Sequence, residues 1–165
     1  MKYSILIICL PAAFLFACTP SRSVQKAYAF SQHINFGTIA TDENGNQLTS
    51  ASQTNRIIYL ESKDNTKPVI NEVVYKAKIY KNAEVTLAGQ SPVQIGIKSS
   101  DGKNIILTPA PGNYLWKMEF ILTENENKQQ VNTDENKIII KGKTGGKAFT
   151  LTINNEIELQ PVIGV

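Results

Sequence analysis

The chain has 165 residues, 42% of them hydrophobic, and its 17 basic and 14 acidic residues leave a net charge of +3. This length is enough for one domain with its own hydrophobic core. The charges are interspersed rather than gathered in a basic patch, so we expect no nucleic-acid partner. The two cysteines, Cys9 and Cys18, stand near the start, which excludes disulfides, a thiol nucleophile and cysteine-ligated zinc from the rest of the chain.

Residues 1–17 have the features of a secretory signal segment. Lys2 provides a positive start, and an apolar stretch follows from Tyr3 to Ala17, interrupted by Pro11. A membrane-spanning helix needs roughly 20 apolar residues, whereas the hydrophobic region of a signal peptide is shorter. The stretch therefore predicts a signal peptide. Two alternatives stay open: an ordinary secretory signal with an incidental cysteine after it, and an uncleaved N-terminal anchor.

The last residues of this segment, Leu15-Phe16-Ala17-Cys18, resemble the lipobox of bacterial lipoproteins. In that family the cysteine is diacylated, the chain is cut just before it, and the new amino terminus is often acylated too. The resemblance implies a palmitate-type membrane anchor at Cys18, with residues 18–23 as the lipidated cysteine and a short tether. Two or three acyl chains hold a protein stably on a membrane, whereas one chain does so only marginally.

The residues after Cys18 bear on the location within the envelope. In some Gram-negative bacteria an aspartate directly after the cysteine retains a lipoprotein in the inner membrane, and here that residue is Thr19. In others, acidic residues just downstream direct export to the cell surface, and residues 20–26 contain none. By this resemblance we expect a bacterial envelope protein anchored in the outer membrane and facing the periplasm.

Residues 24–165 have the pattern of a single strand-rich domain. Residues 24–39 are ambiguous between a strand and a helical turn, and residues 48–55 look like a polar loop. Asp101-Gly102 between two apolar runs predicts a hairpin. Short apolar or alternating runs predict strands at residues 57–60, 69–80, 83–88, 92–98, 105–107, 114–123, 138–140, 149–153 and 157–159.

Two of these predicted strands indicate which aromatic side chains are buried. Along residues 69–80, period two places Tyr75 on an apolar face and Tyr80 on the opposite face, among lysines. Along residues 114–123, Trp116 lies on an aromatic face that we expect to form the middle of the core. We therefore predict that Tyr75 and Trp116 are buried and that Tyr80 is exposed.

The last two apolar runs predict a final hairpin. A two-residue loop would set Ile153 opposite Glu156 and mix the faces of the two strands. A three-residue loop sets Ile153 opposite Ile157 and Leu151 opposite Leu159. Because a slip of one residue turns every side chain to the other face, we expect the apolar register.

Eight to ten short strands, with turns every 8 to 14 residues and no sustained helical period, predict an all-β fold. We expect an antiparallel β-sandwich of the immunoglobulin-like or Greek-key kind, spanning residues 24–165 as one domain. A β-barrel is the alternative.

Candidate site residues are few. Tyr80 is the aromatic side chain that we expect to be available to a ligand or partner. The polar loop at residues 124–136 holds four carboxylates, whose spacing favours neither calcium binding nor paired glycoside chemistry over a solvated loop: Glu124, Glu126, Asp134 and Glu135. A lysine group on or beside the predicted strand face, which could meet anionic headgroups but is more typical of a solvated sheet face, contains Lys76, Lys78 and Lys81.

No catalytic or metal constellation stands out. His33 is the single histidine, and no Gly-x-Ser-x-Gly nucleophile motif accompanies it. We therefore expect no metal, no cofactor and no enzymatic activity. The sequence favours a non-catalytic, lipid-anchored binding or assembly module that contacts another envelope protein through a strand edge or the 124–136 loop. The alternative is a glycan-binding accessory module, because β-sandwiches often present aromatic platforms to sugars.

Overall fold

The described part of the chain is built from strands. The computed structural model describes residues 23–36, 43–44, 52–76, 78–81, 83–120 and 137–164, and these ranges contain no helix. The strands are β1 (Val24–Phe36), β2 (Ser52–Ser62), β3 (Val69–Tyr75), β4 (Lys78–Tyr80), β5 (Glu84–Gly89), β6 (Val93–Ile97), β7 (Asn104–Leu107), β8 (Tyr114–Phe120), β9 (Ile138–Thr144), β10 (Lys147–Ile153) and β11 (Glu156–Gly164). The ambiguous stretch after residue 24 is thus a strand, and the predicted loop at residues 48–55 already belongs to β2 from Ser52 onward.

These strands form three sheets. A five-stranded sheet has the order β11-β1-β2-β8-β5, a four-stranded sheet has the order β10-β9-β3-β4, and β6 and β7 form a separate hairpin. Every pairing is antiparallel except that of β1 with β11, which is parallel. The described strands do not close into a barrel, and the predicted β-sandwich is confirmed. The hairpin around Asp101-Gly102 is confirmed as β6 and β7.

The first core lies between the two larger sheets. The five-stranded sheet contributes Leu60, Trp116 and Met118, and the four-stranded sheet contributes Val73 and Ile140, all at most 4% exposed. Their alternation along each strand is what a sheet with one face on this core requires. The predicted burial of Trp116 is therefore confirmed.

Close packing in this core explains a glycine within strand β9. A Cβ on Gly142 would lie 2.6 Å from the carbonyl oxygen of Val69 and 2.7 Å from the ring of Phe149. Both distances are far shorter than a van der Waals contact allows. Glycine at this position therefore lets the Phe149 ring pack against the backbone of β9.

The second core lies on the other face of the five-stranded sheet, beneath the β6–β7 hairpin. Phe30, Tyr59, Leu115 and Leu159 are each at most 5% exposed there. The hairpin covers them with four partly buried apolar side chains: Val93, Ile95, Ile105 and Leu107. Because β2 contacts a core on each side, its apolar run at residues 57–60 is continuous rather than alternating.

The long strand predicted over residues 69–80 is wrong, because the chain reverses within it. Lys76 has a φ of 47°, and β3 and β4 pair as an antiparallel hairpin around it. This pairing sets Tyr80 opposite Val73, and directly paired residues project to the same face of a sheet. Tyr80 is therefore only 6% exposed, in the first core.

The final hairpin is also wrong, because β10 and β11 belong to different sheets. Leu151 and Ile153 pack into the first core, whereas Leu159 packs into the second, with Ile157 against it. The side chains of β10 thus pack into the first core and those of β11 into the second, and the residues between the two strands connect one sheet to the other. Strand β11 finds its partner in β1, far away in sequence.

The sandwich has two ends, and we name them by the course of β1. At the tether end β1 begins, where the carbonyl of Ser23 accepts a hydrogen bond from the Lys63 amide at 3.0 Å. Strand β3 begins at the same end, and its first residue, Val69, pairs with Lys143 just before the turn between β9 and β10. At the far end β1 ends, β2 begins, and β3 ends at Tyr75.

Candidate functional site

The structure describes one of the predicted site residues, Tyr80, and places it in the first core. Its expected exposure is wrong for the reason given above, the reversal at Lys76. The other predicted site residues lie outside the described residues: Cys18, Glu124, Glu126, Asp134 and Glu135. Nothing in the structure bears on them.

The aromatic side chains are buried or half-buried wherever their side chains are described. Tyr59, Tyr75 and Trp116 are buried, as are Phe30 and Phe149. The remaining two, Tyr28 and Tyr114, are half-buried against the cores. An exposed aromatic platform for stacking on sugar rings is therefore absent from the described part of the chain.

Strand β10 is an edge strand of the four-stranded sheet, and the strand of the other sheet that lies nearest to it is β1. Within the described ranges it is hydrogen-bonded to β9 alone, through seven paired positions in regular register. Phe149, Leu151 and Ile153 point into the first core, which fixes the strand in place. The exposed side chains between them are small and uncharged: Ala148, Thr150 and Thr152.

Alternate residues of β10 direct their backbone polar groups to this open side. The turn before it has two residues, Gly145 and Gly146, both with positive φ, at 55° and 77°. In such a hairpin the flanking pair, here Thr144 and Lys147, exchanges both hydrogen bonds, and bonded pairs alternate with non-bonded ones. The N–H and C=O groups of Thr150, three residues after Lys147, therefore point away from β9.

Three other sheet edges carry features that oppose strand pairing. Strand β4 has only three residues, and β5 starts with Glu84 and has a bulge between residues 87 and 89. Strand β11 contains Pro161, and its residue Leu159 is bridged to Lys98. Strand β10 has no proline and no bulge against β9, and its only charge is Lys147 at its start. It is the least protected of these four edges.

A buried carboxylate, that of Glu61, accepts hydrogen bonds from several segments at the tether end. Glu61 is 1% exposed, and its Oε1 accepts hydrogen bonds from the Ala110 amide at 3.0 Å and from Asn113 Nδ2 at 2.6 Å. Its Oε2 accepts a hydrogen bond from the Tyr28 hydroxyl at 3.2 Å. These donors come from the start of β1 and from the chain before β8. The carboxylate therefore ties three parts of this end together.

Burial and hydrogen bonding shift the pKa of this carboxylate in opposite directions. Burial raises the pKa of Glu61, but the donors from Ala110, Asn113 and Tyr28, with the charge of Lys26, outweigh it and leave the pKa below its ordinary value. The pKa of Tyr28 is raised, first by burial and then by the Glu61 charge and the hydrogen bond to it. Glu61 is thus an ionised structural group.

A second polar cluster lies toward the far end. Arg56 Nε and Glu156 Oε1 lie 3.7 Å apart, and neither atom has a hydrogen-bond partner among the described residues. Tyr75 donates its hydroxyl to Glu156 Oε2 at 3.1 Å, and the guanidinium carbon of Arg56 lies 4.6 Å from the centre of the Tyr75 ring. This polar cluster borders the first core, to which Tyr75 belongs. Tyr75 is buried, as predicted.

Beside this cluster, at the edge of the five-stranded sheet, lies an open cleft of about 340 Å³. Its lining includes Glu156, Glu158 and Lys98. Lys98 also lies 3.9 Å from Asp101, and His33 Nε2 lies 3.9 Å from Glu158 Oε1. Two of the cleft's charged side chains thus already face neighbours of opposite charge, Glu156 facing Arg56 and Lys98 facing Asp101.

The described ranges contain no group of three or more histidine, cysteine, aspartate or glutamate side chains placed to hold a metal ion. They also contain no helix long and apolar enough to cross a membrane.

Comparison with known proteins gives no relative from which a function could be transferred. No family model, no curated protein and no solved structure matches the chain. Among the described residues, the β10 edge is the feature with the clearest capacity for binding.

Proposed function

We propose that this chain is a non-catalytic, lipid-anchored protein of the bacterial envelope that serves as a binding or assembly module. Its partner is another envelope protein, which adds an extended strand to the open edge of β10. The lipobox-like segment ending at Cys18 supports the anchoring, and Thr19 together with the lack of acidic residues at positions 20–26 supports the location in the outer membrane, facing the periplasm.

The observation that carries this proposal is the unprotected edge of β10. Added strands gain affinity from main-chain hydrogen bonds and specificity from the side chains that alternate along the edge. On β10 the N–H and C=O groups of Thr150 point outward, and the exposed side chains beside them are too small to obstruct a partner. Natural proteins usually blunt such an edge with charge, proline or a bulge.

The substitution Thr150→Pro tests this role. Proline removes the outward N–H without removing a bond to β9, so folding should survive while strand addition is blocked. We expect partner affinity to fall about tenfold or more, since one or more main-chain hydrogen bonds are lost. Thr150→Ala is the matched control, because it removes the side chain and keeps the N–H, and it should bind like the native chain.

The measurement is photo-crosslinking in intact cells from a crosslinking residue placed at Thr152. A discrete partner band that disappears in Thr150→Pro and persists in Thr150→Ala is the expected result. A crosslinking residue at Thr86, on the edge strand β5, reports background contacts. The proposed use of the β10 edge fails if no discrete band forms, or if the band is equally strong in the proline variant while its melting temperature matches the native one.

The alternative of a glycan-binding module gains no support from the described residues. It depends on exposed aromatic rings, and the described aromatic side chains are buried or half-buried. A glycan array with the native protein would revive this alternative if it gave a specific signal.

A further inference from the structure

The exposed charge at the tether end is almost entirely basic. This end comprises residues 23–26, 61–69, 89–93, 107–114 and 143–148, which the pairings of β1, β2, β3, β5, β8 and β9 bring to one side of the sandwich. These segments contain five exposed lysines: Lys26, Lys63, Lys67, Lys143 and Lys147. Their acidic residues are the half-buried Asp64 and the buried Glu61.

Both sheets contribute to this basic surface. Lys26 and Lys63 belong to the end of the five-stranded sheet, where Lys63 is hydrogen-bonded through its amide to Ser23. Lys143 and Lys147 belong to the end of the four-stranded sheet, on either side of the β9–β10 turn. Lys67 lies in the loop that joins the two sheets. The lysines therefore surround the place where the chain leaves toward its N-terminus.

The proposed anchor lies close to this surface. Cys18 is five residues before Ser23, and a fully extended chain spans at most about 3.6 Å per residue, or about 18 Å. Attraction between lysines and an anionic membrane surface acts within about one Debye length, about 8 Å in physiological salt. The tether therefore lets the lysines come within this distance of the membrane whenever it is not fully extended.

We infer that the tether end binds the anionic headgroups of the membrane that carries the anchor, and so stands the sandwich on the bilayer with β1 leading away from it. This inference rests on the proposed anchoring at Cys18. In the lysine group named from the sequence, Lys76 and Lys78 lie at the end of β3 that is remote from Val69, whereas Lys81 follows Tyr80, which pairs with Val73 partway back along β3. Along β3 this places Lys76 and Lys78 about 20 Å and Lys81 about 10 Å from the level of Val69, and both separations exceed the Debye length of about 8 Å.

The test uses the full chain with a fluorescent amino acid at the exposed residue Asn65 and acceptor-labelled lipid headgroups. Energy transfer is compared on vesicles of phosphatidylcholine alone and of phosphatidylcholine mixed with phosphatidylglycerol. We expect transfer to rise with the anionic lipid and to fall back at molar salt, where the Debye length is about 3 Å. The variant Lys67→Gln/Lys143→Gln/Lys147→Gln should lose this rise.

The matched control is Lys76→Gln/Lys78→Gln/Lys81→Gln, which removes the same charge from the remote site and should keep the rise. Transfer that is equal on both kinds of vesicle, or lost equally in both variants, would overturn the inference. The intact mass of the same sample reports acylation separately. An unacylated chain would still be recruited by anionic vesicles, about 100-fold more weakly in the tether-end variant, since each lysine contributes about fivefold.

Discussion

Replacing Trp116 with alanine is expected to lower the free energy of unfolding by about 3–5 kcal/mol, the usual cost of deleting a large buried aromatic side chain. Trp116 lies in the first core, and its indole Nε1 donates a hydrogen bond to Ser62 Oγ at 2.9 Å. That hydroxyl in turn donates to the carbonyl of Asp64 at 2.8 Å. The variant therefore loses apolar packing and also leaves a buried hydroxyl without its donor.

Urea unfolding followed by circular dichroism measures this effect. The control is Leu87→Ala, because Leu87 pairs with Trp116 on the neighbouring strand but is 51% exposed, and it should cost less than about 1 kcal/mol. A loss of less than about 1 kcal/mol in Trp116→Ala would contradict the buried position. It would also restore Trp116 as a residue that could stack on a sugar.

Removing the carboxylate of Glu61 is expected to cost about 2–4 kcal/mol at neutral pH. In Glu61→Ala the Ala110 amide, the Asn113 amide group and the Tyr28 hydroxyl all lose their acceptor in a buried place. Glu61→Gln keeps an acceptor oxygen and should cost less. Urea unfolding of both variants measures the difference, and equal costs would show that the carboxylate's hydrogen bonds contribute little.

The same carboxylate gives stability a defined dependence on pH. Because the pKa of Glu61 is lowered in the folded chain, the unfolded chain binds this proton more readily. The contribution of Glu61 is complete above the ordinary glutamate pKa and disappears as pH falls through the lower folded value, from about pH 5 downward. In Glu61→Gln this part of the acid destabilisation is missing, so the stability gap to the native chain should narrow in acid.

The sequence was sufficient for the fold class because strand period and turn residues are local signals. Asp101-Gly102 marks a hairpin by its own chemistry, and the alternation around Trp116 identifies a buried face without knowledge of its partner. Both features are confirmed in the structure. Local patterns of this kind depend on a few neighbouring residues only.

The errors arose where distant strands decide the outcome. The residues around Lys76 give no local signal that the chain reverses there, since Lys76 itself is neither glycine nor asparagine. Because the reversal was not predicted, Tyr80 was assigned to the wrong face of the sheet. The pairing of β11 with β1 competes with a hairpin that looks equally good in sequence. Whether β11 pairs with β1 or with β10 depends on the second core, which forms only because the β6–β7 hairpin covers the five-stranded sheet.

The two candidate surfaces, the β10 edge and the basic surface at the tether end, could not be predicted from the sequence, also for a physical reason. An open edge is a property of sheet order, and residues 147–153 have the same pattern whether the strand is central or at an edge. The basic surface at the tether end combines lysines from separate segments, such as Lys67 and Lys143, which only the pairing of β3 with β9 brings together. The net charge of the chain does not reveal this basic surface.

The tether leaves from the end of the sandwich that carries the lysines, and β10 runs from that end toward the far end. The headgroup contact and the strand edge meet at the start of β10, where Lys147 belongs to both. Thr150→Pro keeps all the lysines, and Lys67→Gln/Lys143→Gln/Lys147→Gln keeps the backbone groups of Thr150.

The intact mass of the protein extracted from membranes tests the central claim most directly, with Cys18→Ser as the control. Lipidation at Cys18 predicts a chain that begins at Cys18 and carries the added mass of two or three acyl groups, and a control that lacks this mass. An unacylated chain cut at another position, or one that keeps residues 1–17, would contradict the proposed anchor.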